Sequence, residues 1–341
     1  MAIWRAFVNS LRYIRSFWQH PAKTQPAIRY TFNSSFIQSW YCQYWDLNRW
    51  LQEYGMLQKI GIDEIIIQDI ADTKAKHAVY PTKMEGYTSN THDMVGTALE
   101  AANRVGMKVR IGLGFSNDWW VIIAFHPEWL INEARVNQEI VSEIVSRYGS
   151  YESLMGWYIP YEFHQFTALG RVRQSALNKF FRDISGTIKL NSDKNIMVAP
   201  FYNSLLSLSM PLASWSTTVY KILSNTGIDI LALQDSIGAD FNTLVNIDEI
   251  YRYTKKATDS MGMSLYAITE TFGATLNDNQ PASFNRIKQQ MSIEAKYVLR
   301  FVAFSIDHYK NRNEPLHVTG YDEYQRHYLD HVAENPSLRN I

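Results

Sequence analysis

At 341 residues, with 46% apolar and 19% charged side chains, the chain has ample material for a core and is too long for a disulfide-stapled miniature. Lys plus Arg equal Asp plus Glu at 33 each, so no global charge favours nucleic acid or an anionic membrane. The single cysteine, Cys42, excludes a disulfide framework and a cysteine-rich metal site, while 10 Trp and 21 Tyr serve a core in part and also suit a surface that stacks on sugar rings.

The first 26 residues stand apart. They carry Arg5, Arg12, Arg15 and Lys23, with no acid before Asp46, interleaved with Trp4, Phe7, Leu11, Ile14, Phe17 and Trp18. This spacing predicts a basic amphipathic arm with two readings: a helix packed under the main domain, or one that gives weak membrane-surface association. It lacks a clean apolar h-region and a small-residue cleavage site, so it reads poorly as a signal peptide. The expected location is therefore cytoplasmic or membrane-peripheral, and extracytoplasmic if the chain is trimmed. Pro21 and Pro26 end the arm.

From residue 27 to about 318, short apolar runs alternate with longer amphipathic segments. The runs predict eight buried parallel strands at Ile28–Asn33, Glu64–Asp69, Lys108–Phe115, Gly156–Glu162, Asn195–Tyr202, Ile228–Asp235, Ser264–Glu270 and Phe301–Asp307. Helical patterns fall at Asp46–Lys59, His92–Val105, Glu128–Tyr148, Leu169–Leu190, Leu244–Met261 and Ser283–Leu299, several ending at a glycine. Two internal echoes share one offset. Gly61-Ile62-Asp63 leading to Gln68-Asp69 matches Gly227-Ile228-Asp229 leading to Gln234-Asp235. Gly106-Met107 leading to Phe115 matches Gly262-Met263 leading to Phe272. Both pair strands four apart, as in a barrel built from two similar halves. The expected fold is a single (β/α)8 TIM barrel, with residues 319–341 as a C-terminal tail. A doubly wound open sheet is the alternative, but Gly112-Leu113-Gly114 lacks the third glycine of a dinucleotide fingerprint.

In such a barrel, chemistry belongs to the carboxyl ends of the strands. Glu162 and Glu270 are each the first carboxylate after an apolar run, on the fourth and seventh strands, which face each other across a barrel mouth. A carboxylate so placed is costly to desolvate unless it is paired or used. The runs Gly-Trp-Tyr-Ile-Pro-Tyr-Glu and Thr-Glu-Thr-Phe resemble the clan of retaining (β/α)8 glycoside hydrolases that includes the family-five cellulases. They look closer still to a bacterial family of cellulase-like TIM barrels long left as a domain of unknown function, of a kind that accompanies exopolysaccharide or cellulose synthesis. The resemblance implies Glu162 as acid/base, Glu270 as nucleophile, and a β-glucan-like carbohydrate as substrate. It has one departure: the clan usually carries an asparagine before the acid/base, where it holds the sugar 2-hydroxyl, and here Tyr161 occupies that place.

Acetal cleavage by retention needs the two carboxyl groups ~5–5.5 Å apart, with environments that keep one protonated and the other charged. Tyr202 and His164 are candidates to orient them. Trp119 and Trp120 are candidate stacking platforms, while Asp69, Gln234 and Asp235 could hydrogen-bond sugar hydroxyls, with His308 a weaker candidate. No cofactor and no nucleic-acid partner are expected. The histidines show no His-x-His or His-Glu-x-x-His pattern for a metal, no lysine marks the ends of strands four to seven, and no Gly-x-Ser-x-Gly elbow is present. A barrel that binds glycans without cutting them is the competing reading.

Overall fold

The computed structural model describes residues 30–121, 126–274, 279–298, 300–312 and 317–334; the arm expected at residues 1–26 lies outside them. Eight strands close into a barrel: β1 (Ser34–Ile37), β2 (Glu64–Ile67), β3 (Lys108–Gly112), β4 (Leu154–Ile159), β5 (Asn195–Val198), β6 (Ile230–Gln234), β7 (Ser264–Glu270) and β8 (Phe301–Phe304). Every neighbouring pair is parallel, and β8 closes on β1. The principal helices are α1 (Leu47–Gln58), α2 (Met94–Val105), α3 (Pro127–Tyr148), α4 (Arg171–Asn191), α5 (Leu212–Leu223), α6 (Ile247–Met261), α7 (Phe284–Glu294) and α8 (Val318–Glu334). The expected TIM-barrel architecture is what the chain adopts.

Alternation along each strand decides which side chains enter the barrel. Phe36, Ile66, Tyr158, Met197, Ala199, Ile230, Ala232, Ile268 and Val302 form one core cluster, with Tyr266 and Phe304 against it. Toward the amino ends of the strands the interior turns polar. Arg110 Nη2 lies 3.0 Å from Glu64 Oε1, and the Ser34 hydroxyl donates to Glu64 Oε2 at 2.7 Å. Burial pushes Glu64 up, but the Arg110 guanidinium and the Ser34 hydroxyl outweigh it and hold the carboxyl below its usual range. Gly156 on β4 makes room for the guanidinium, since a Cβ there would sit 2.2 Å from Arg110 Nη1.

Three segments depart from expectation. The first barrel strand is Ser34–Ile37, not Ile28–Asn33. Its two serines lie past the expected end of the strand, yet both are fully buried because their hydroxyls serve buried carboxyls: Ser34 bonds Glu64, and Ser35 donates to Asp307 Oδ2 at 3.0 Å. Helix α5 was not among the expected helices; it opens after Pro211 and buries Trp215, Val219 and Ile222 on one face behind a run of serine and threonine. Within the segment set apart as a tail, α8 docks two buried tyrosines. Tyr324 Oη accepts from the Phe32 N–H at 2.6 Å, and the Tyr321 hydroxyl donates to the Met56 carbonyl at 2.9 Å.

Candidate active-site cleft

A cleft of about 370 Å3 opens at the carboxyl ends of β4 to β7, lined by Trp120, Glu162, His164, Phe201, Asn203, Gln234, Ser236, Ala239, Phe241 and Glu270. Strand parity explains much of this membership. Glu162 lies four residues beyond the inward Tyr158, Glu270 two beyond Ile268, Gln234 two beyond Ala232, and Phe201 two beyond Ala199. Each continues the inward row of its strand past the core and out into the mouth.

The two glutamates have different surroundings. Glu162 accepts the Tyr158 hydroxyl at 3.4 Å and a hydrogen bond from the Gln234 side chain, whose Nε2 also donates to the Ala199 carbonyl at 2.7 Å. Among the described residues no cation offsets its desolvation, so burial raises its carboxyl from 4.5 to about 7 despite those two bonds. Glu270, 4% exposed, is held from outside β7. The Ala239 N–H donates to its Oε2 at 2.8 Å, the Gly238 N–H also bonds it, and the Arg286 guanidinium pulls it toward ionisation. Burial and the neighbouring Asp235 still push it well above its usual range. Burial therefore raises both groups, and what separates them is the set of donors: two backbone N–H groups and a guanidinium at Glu270, neither at Glu162.

The loop after β6 supplies those backbone donors. Ser236 and Asp240 take positive φ angles of 53° and 59°. Phe241 and Asn242 return their N–H groups to the Ser236 carbonyl at 3.0 and 3.1 Å. Asn242 Nδ2 ties the loop to the Tyr202 and Asp235 carbonyls at 2.7 and 2.9 Å. Consecutive N–H groups presented in this way form an anion-binding nest.

One wall of the cleft is an aromatic stack: His164 on Phe201 at 4.8 Å and 17°, then Phe201 on Phe241 at 5.8 Å and 20°. Burial lowers His164 to about 4, so its ring is neutral at physiological pH. Trp120, 48% exposed, offers an indole face from the β3 side. Sequence reading missed Phe201, Ser236, Ala239 and Phe241; the signal available was the Ser-Ile-Gly-Ala turn after β6 and the inward parity of Phe201.

Of the residues expected at the site, Glu162, Glu270, Trp120, Gln234 and His164 line the cleft, and the rest do not. Trp119 is fully buried and donates from Nε1 to the Glu162 carbonyl at 2.8 Å, so it braces the end of β4 and offers no face to a ligand. Tyr202 points outward, with its hydroxyl on the Met210 carbonyl at 2.9 Å and its ring against Trp215. Asp235 is buried behind Glu270 on the helix side of the sheet. Asp69 accepts the Ser39 hydroxyl at 2.7 Å, and burial raises it to about 6. His308 Nε2 accepts the Gln38 N–H at 3.2 Å and packs on Trp40 and Tyr41; burial, with His317 nearby, lowers it to about 4.

Tyr161 also faces away from the cleft. Its hydroxyl bonds the buried Glu133, which also accepts from Thr73, and its ring packs on Trp119 and Phe180. Tyr161→Phe is expected to lower stability by about 1–3 kcal/mol, because Glu133 keeps its burial and loses a donor. Denaturant midpoints should fall while the affinity for any cleft ligand stays unchanged.

Among the described residues no group of three or more His, Cys, Asp or Glu is placed to hold a metal, and no helix is long and apolar enough to cross a membrane. A larger groove, about 640 Å3, runs between α3 and α4 past Arg171, Lys179 and Phe180. It lies on the outer helical layer, and no strand end contributes to its lining.

A closed eight-stranded barrel with paired glutamates in its mouth places the protein among the (β/α)8 barrels. The chain belongs to the family described as a domain of unknown function, DUF4434, which matches residues 32–317. No curated protein matches it in sequence. Among solved structures it is similar to a protein of Bacteroides thetaiotaomicron VPI-5482 provisionally named an alpha-L-fucosidase, with 20% identity and a TM-score of 0.75 over 88% of this chain and 93% of that one. It is also similar to the endo-1,4-beta-D-mannanase of Thermotoga petrophila RKU-1 (13%, TM-score 0.55, 80% and 87%). A third match is the endo-1,4-beta-mannanase of Rhizomucor miehei (10%, TM-score 0.54, 87% and 95%). At these identities the likeness is one of fold.

Proposed function

We infer that the cleft is the active site of a retaining glycoside hydrolase acting on β-linked glucan-like polymers or oligosaccharides. Glu162 serves as acid/base and Glu270 as nucleophile. The observation that carries this reading is that glutamates from β4 and β7 line one cleft with unlike donor sets. In the first step Glu162, in its protonated form, gives its proton to the leaving glycosidic oxygen while Glu270, in its carboxylate form, attacks the anomeric carbon; the C–O bond breaks as the glycosyl ester forms. In the second step Glu162, now a carboxylate, takes a proton from water, and the hydroxide equivalent displaces Glu270 with overall retention. The reading requires a carboxyl–carboxyl separation of ~5–5.5 Å. Trp120 and the Phe201–Phe241 stack would hold pyranose faces on either side of the scissile bond.

A barrel that binds glycans without cleaving them is favoured by one observation: Tyr161 leaves the 2-hydroxyl position of the clan without a partner from β4. Release of reducing ends from β-glucans, β-mannans and aryl glycosides, α-L-fucosides included, separates the two readings. Glu270→Gln serves as the control and is expected to lie about 1,000-fold or more below wild type. Equal release from wild type and this variant on every substrate would leave the binding reading.

A further inference from the structure

Behind Glu270, on the helix side of β6 and β7, lies a second pair of carboxyls that the cleft does not use. Glu294 on α7 is fully buried, and Asp235 at the end of β6 is 1% exposed. Their donors can be traced one by one. Asp235 accepts the Ile237 N–H at 3.1 Å, the Gln290 side-chain N–H, and the Glu270 N–H, which lies 3.4 Å from each of its oxygens. Glu294 Oε2 accepts the Thr269 hydroxyl at 2.7 Å. Glu294 Oε1 is buried and meets no donor. The side chains hydrogen-bonded to Glu294 besides Thr269 are the Asp235 carboxyl and the Tyr251 hydroxyl, and that hydroxyl also lies 2.9 Å from the Leu233 carbonyl. Two carboxylates cannot hydrogen-bond each other unless one carries a proton, and a buried carboxyl oxygen without a partner favours the neutral acid at Glu294.

We propose that Glu294 is a neutral carboxylic acid that donates to Asp235, and that this pair, with one negative charge between its members, positions Glu270 and sets its ionisation. The proposal rests on the reading of Glu270 as a nucleophile. Its physical content is a charge count. With Asp235 and Glu294 both ionised, two like charges would lie near Glu270 against the single guanidinium of Arg286, and Glu270 would hold its own proton. One shared proton removes one of those charges. The remaining anion keeps Glu270 basic, while Arg286 and the N–H groups of Gly238 and Ala239 let it ionise.

The network also fixes the backbone that carries Glu270. Gln290 spans Asp235 and the Glu270 carbonyl, at 3.3 Å to the latter. Arg286 Nη2 donates to that carbonyl at 2.9 Å, and Arg286 Nε donates to Gln290 Oε1 at 3.0 Å. The titratable and charged groups facing the pair are thus Glu270 from β7, Tyr251 from α6 and Arg286 from α7, with Asp240 near Arg286 from the β6 loop. Glu53 on α1 and Asp307 after β8 repeat the arrangement: they are hydrogen-bonded, and Asp307 Oδ1 is buried with no donor. Neither member of that second pair lines the cleft, so it provides an internal comparison.

Two measurements test the proposal, and one of them needs no turnover. The infrared difference between wild type and Glu294→Gln at pH 7 should contain the carbonyl band of one protonated carboxylic acid, and the same band should be lost when Glu294→Gln is made in a Glu270→Gln background. Absence of a lost band overturns the proposal whatever the enzyme does. In the pH profile of kcat/KM, Asp235→Asn should move the acidic limb about 1–3 pH units lower, because a like charge beside Glu270 has gone. Glu294→Gln should restore most of what Glu294→Ala loses. An unmoved limb in a folded Asp235→Asn variant reduces the pair to a structural brace and overturns the proposal. If wild type shows no turnover at any pH, the hydrolase reading falls, and the infrared band alone decides the pair.

Discussion

Glu162→Gln is expected to stabilise the protein above pH 7 while removing most of its turnover. In the folded state burial raises Glu162 from 4.5 to about 7, so the folded protein binds this proton more tightly than the unfolded chain does. Below pH 4 both states are protonated and the residue costs nothing. As pH rises through 4.5 the unfolded chain begins to release the proton while the folded protein retains it, and the full cost is reached above 7. That difference corresponds to about 3 kcal/mol, which a permanently neutral glutamine avoids. Thermal unfolding at pH 8 should therefore show the variant several degrees above wild type, with the gap closing at pH 4. Turnover should move the other way. Loss of the proton donor is expected to cost about 100- to 10,000-fold on substrates with poor leaving groups, and far less on activated aryl glycosides. In wild type, kcat/KM should fall as pH rises through 7. A variant less stable at pH 8, or a profile flat through 7, would contradict the environment assigned to Glu162.

Adding one methyl group at Gly238 should cost the protein both stability and rate. A Cβ at this position would lie 2.4 Å from the Phe272 carbonyl oxygen, 2.9 Å from Glu270 Oε2 and 3.0 Å from Glu270 Cβ. The nearest of these is backbone, which cannot swing aside. The turn must shift, and with it the two N–H groups that hold Glu270. Overpacking of this kind costs about 1–3 kcal/mol, and a displacement near 1 Å at a reacting group costs about 100-fold in rate. Gly186 on α4, where nothing lies within 4 Å of an added Cβ, is the control; Gly186→Ala should be neutral or stabilising. Calorimetry and kcat/KM on both variants separate the effect of the methyl group from the effect of its place. Equal behaviour of the two would show that the Gly238 turn does not hold Glu270.

The sequence carries the fold and the site through different periodicities. The barrel was legible because seven of its eight strands fall on apolar runs that recur at regular intervals, and because the echoes pair β2 with β6 and β3 with β7. Glu162 and Glu270 were legible as the first carboxylates beyond apolar strands. For the residues around them, nearness to a strand end is a weaker guide than the direction a side chain takes. Tyr161, Tyr202 and Asp235 stand one position off the inward row of their strands, so they enter the helix layer and bond Glu133, the Met210 carbonyl and Gln290. Counting by two from Tyr158, Ala199 and Ala232 selects Glu162, Phe201 and Gln234 instead. Trp119 and Trp120 show the same lesson in a loop: the adjacent indoles diverge, one under the turn and one in the cleft. The β6 loop was illegible for another reason, since its contribution is backbone N–H direction, which leaves little trace in side-chain composition beyond one glycine.

The most direct test is to trap the glycosyl-enzyme. An activated 2-deoxy-2-fluoro glycoside of a substrate that wild type turns over should inactivate the protein with one equivalent bound. Peptide mapping should place the sugar ester on Glu270, and Glu162→Gln should slow its hydrolysis. Label on another side chain, or turnover without any adduct to give the inverted anomer, would contradict the roles assigned to these two glutamates.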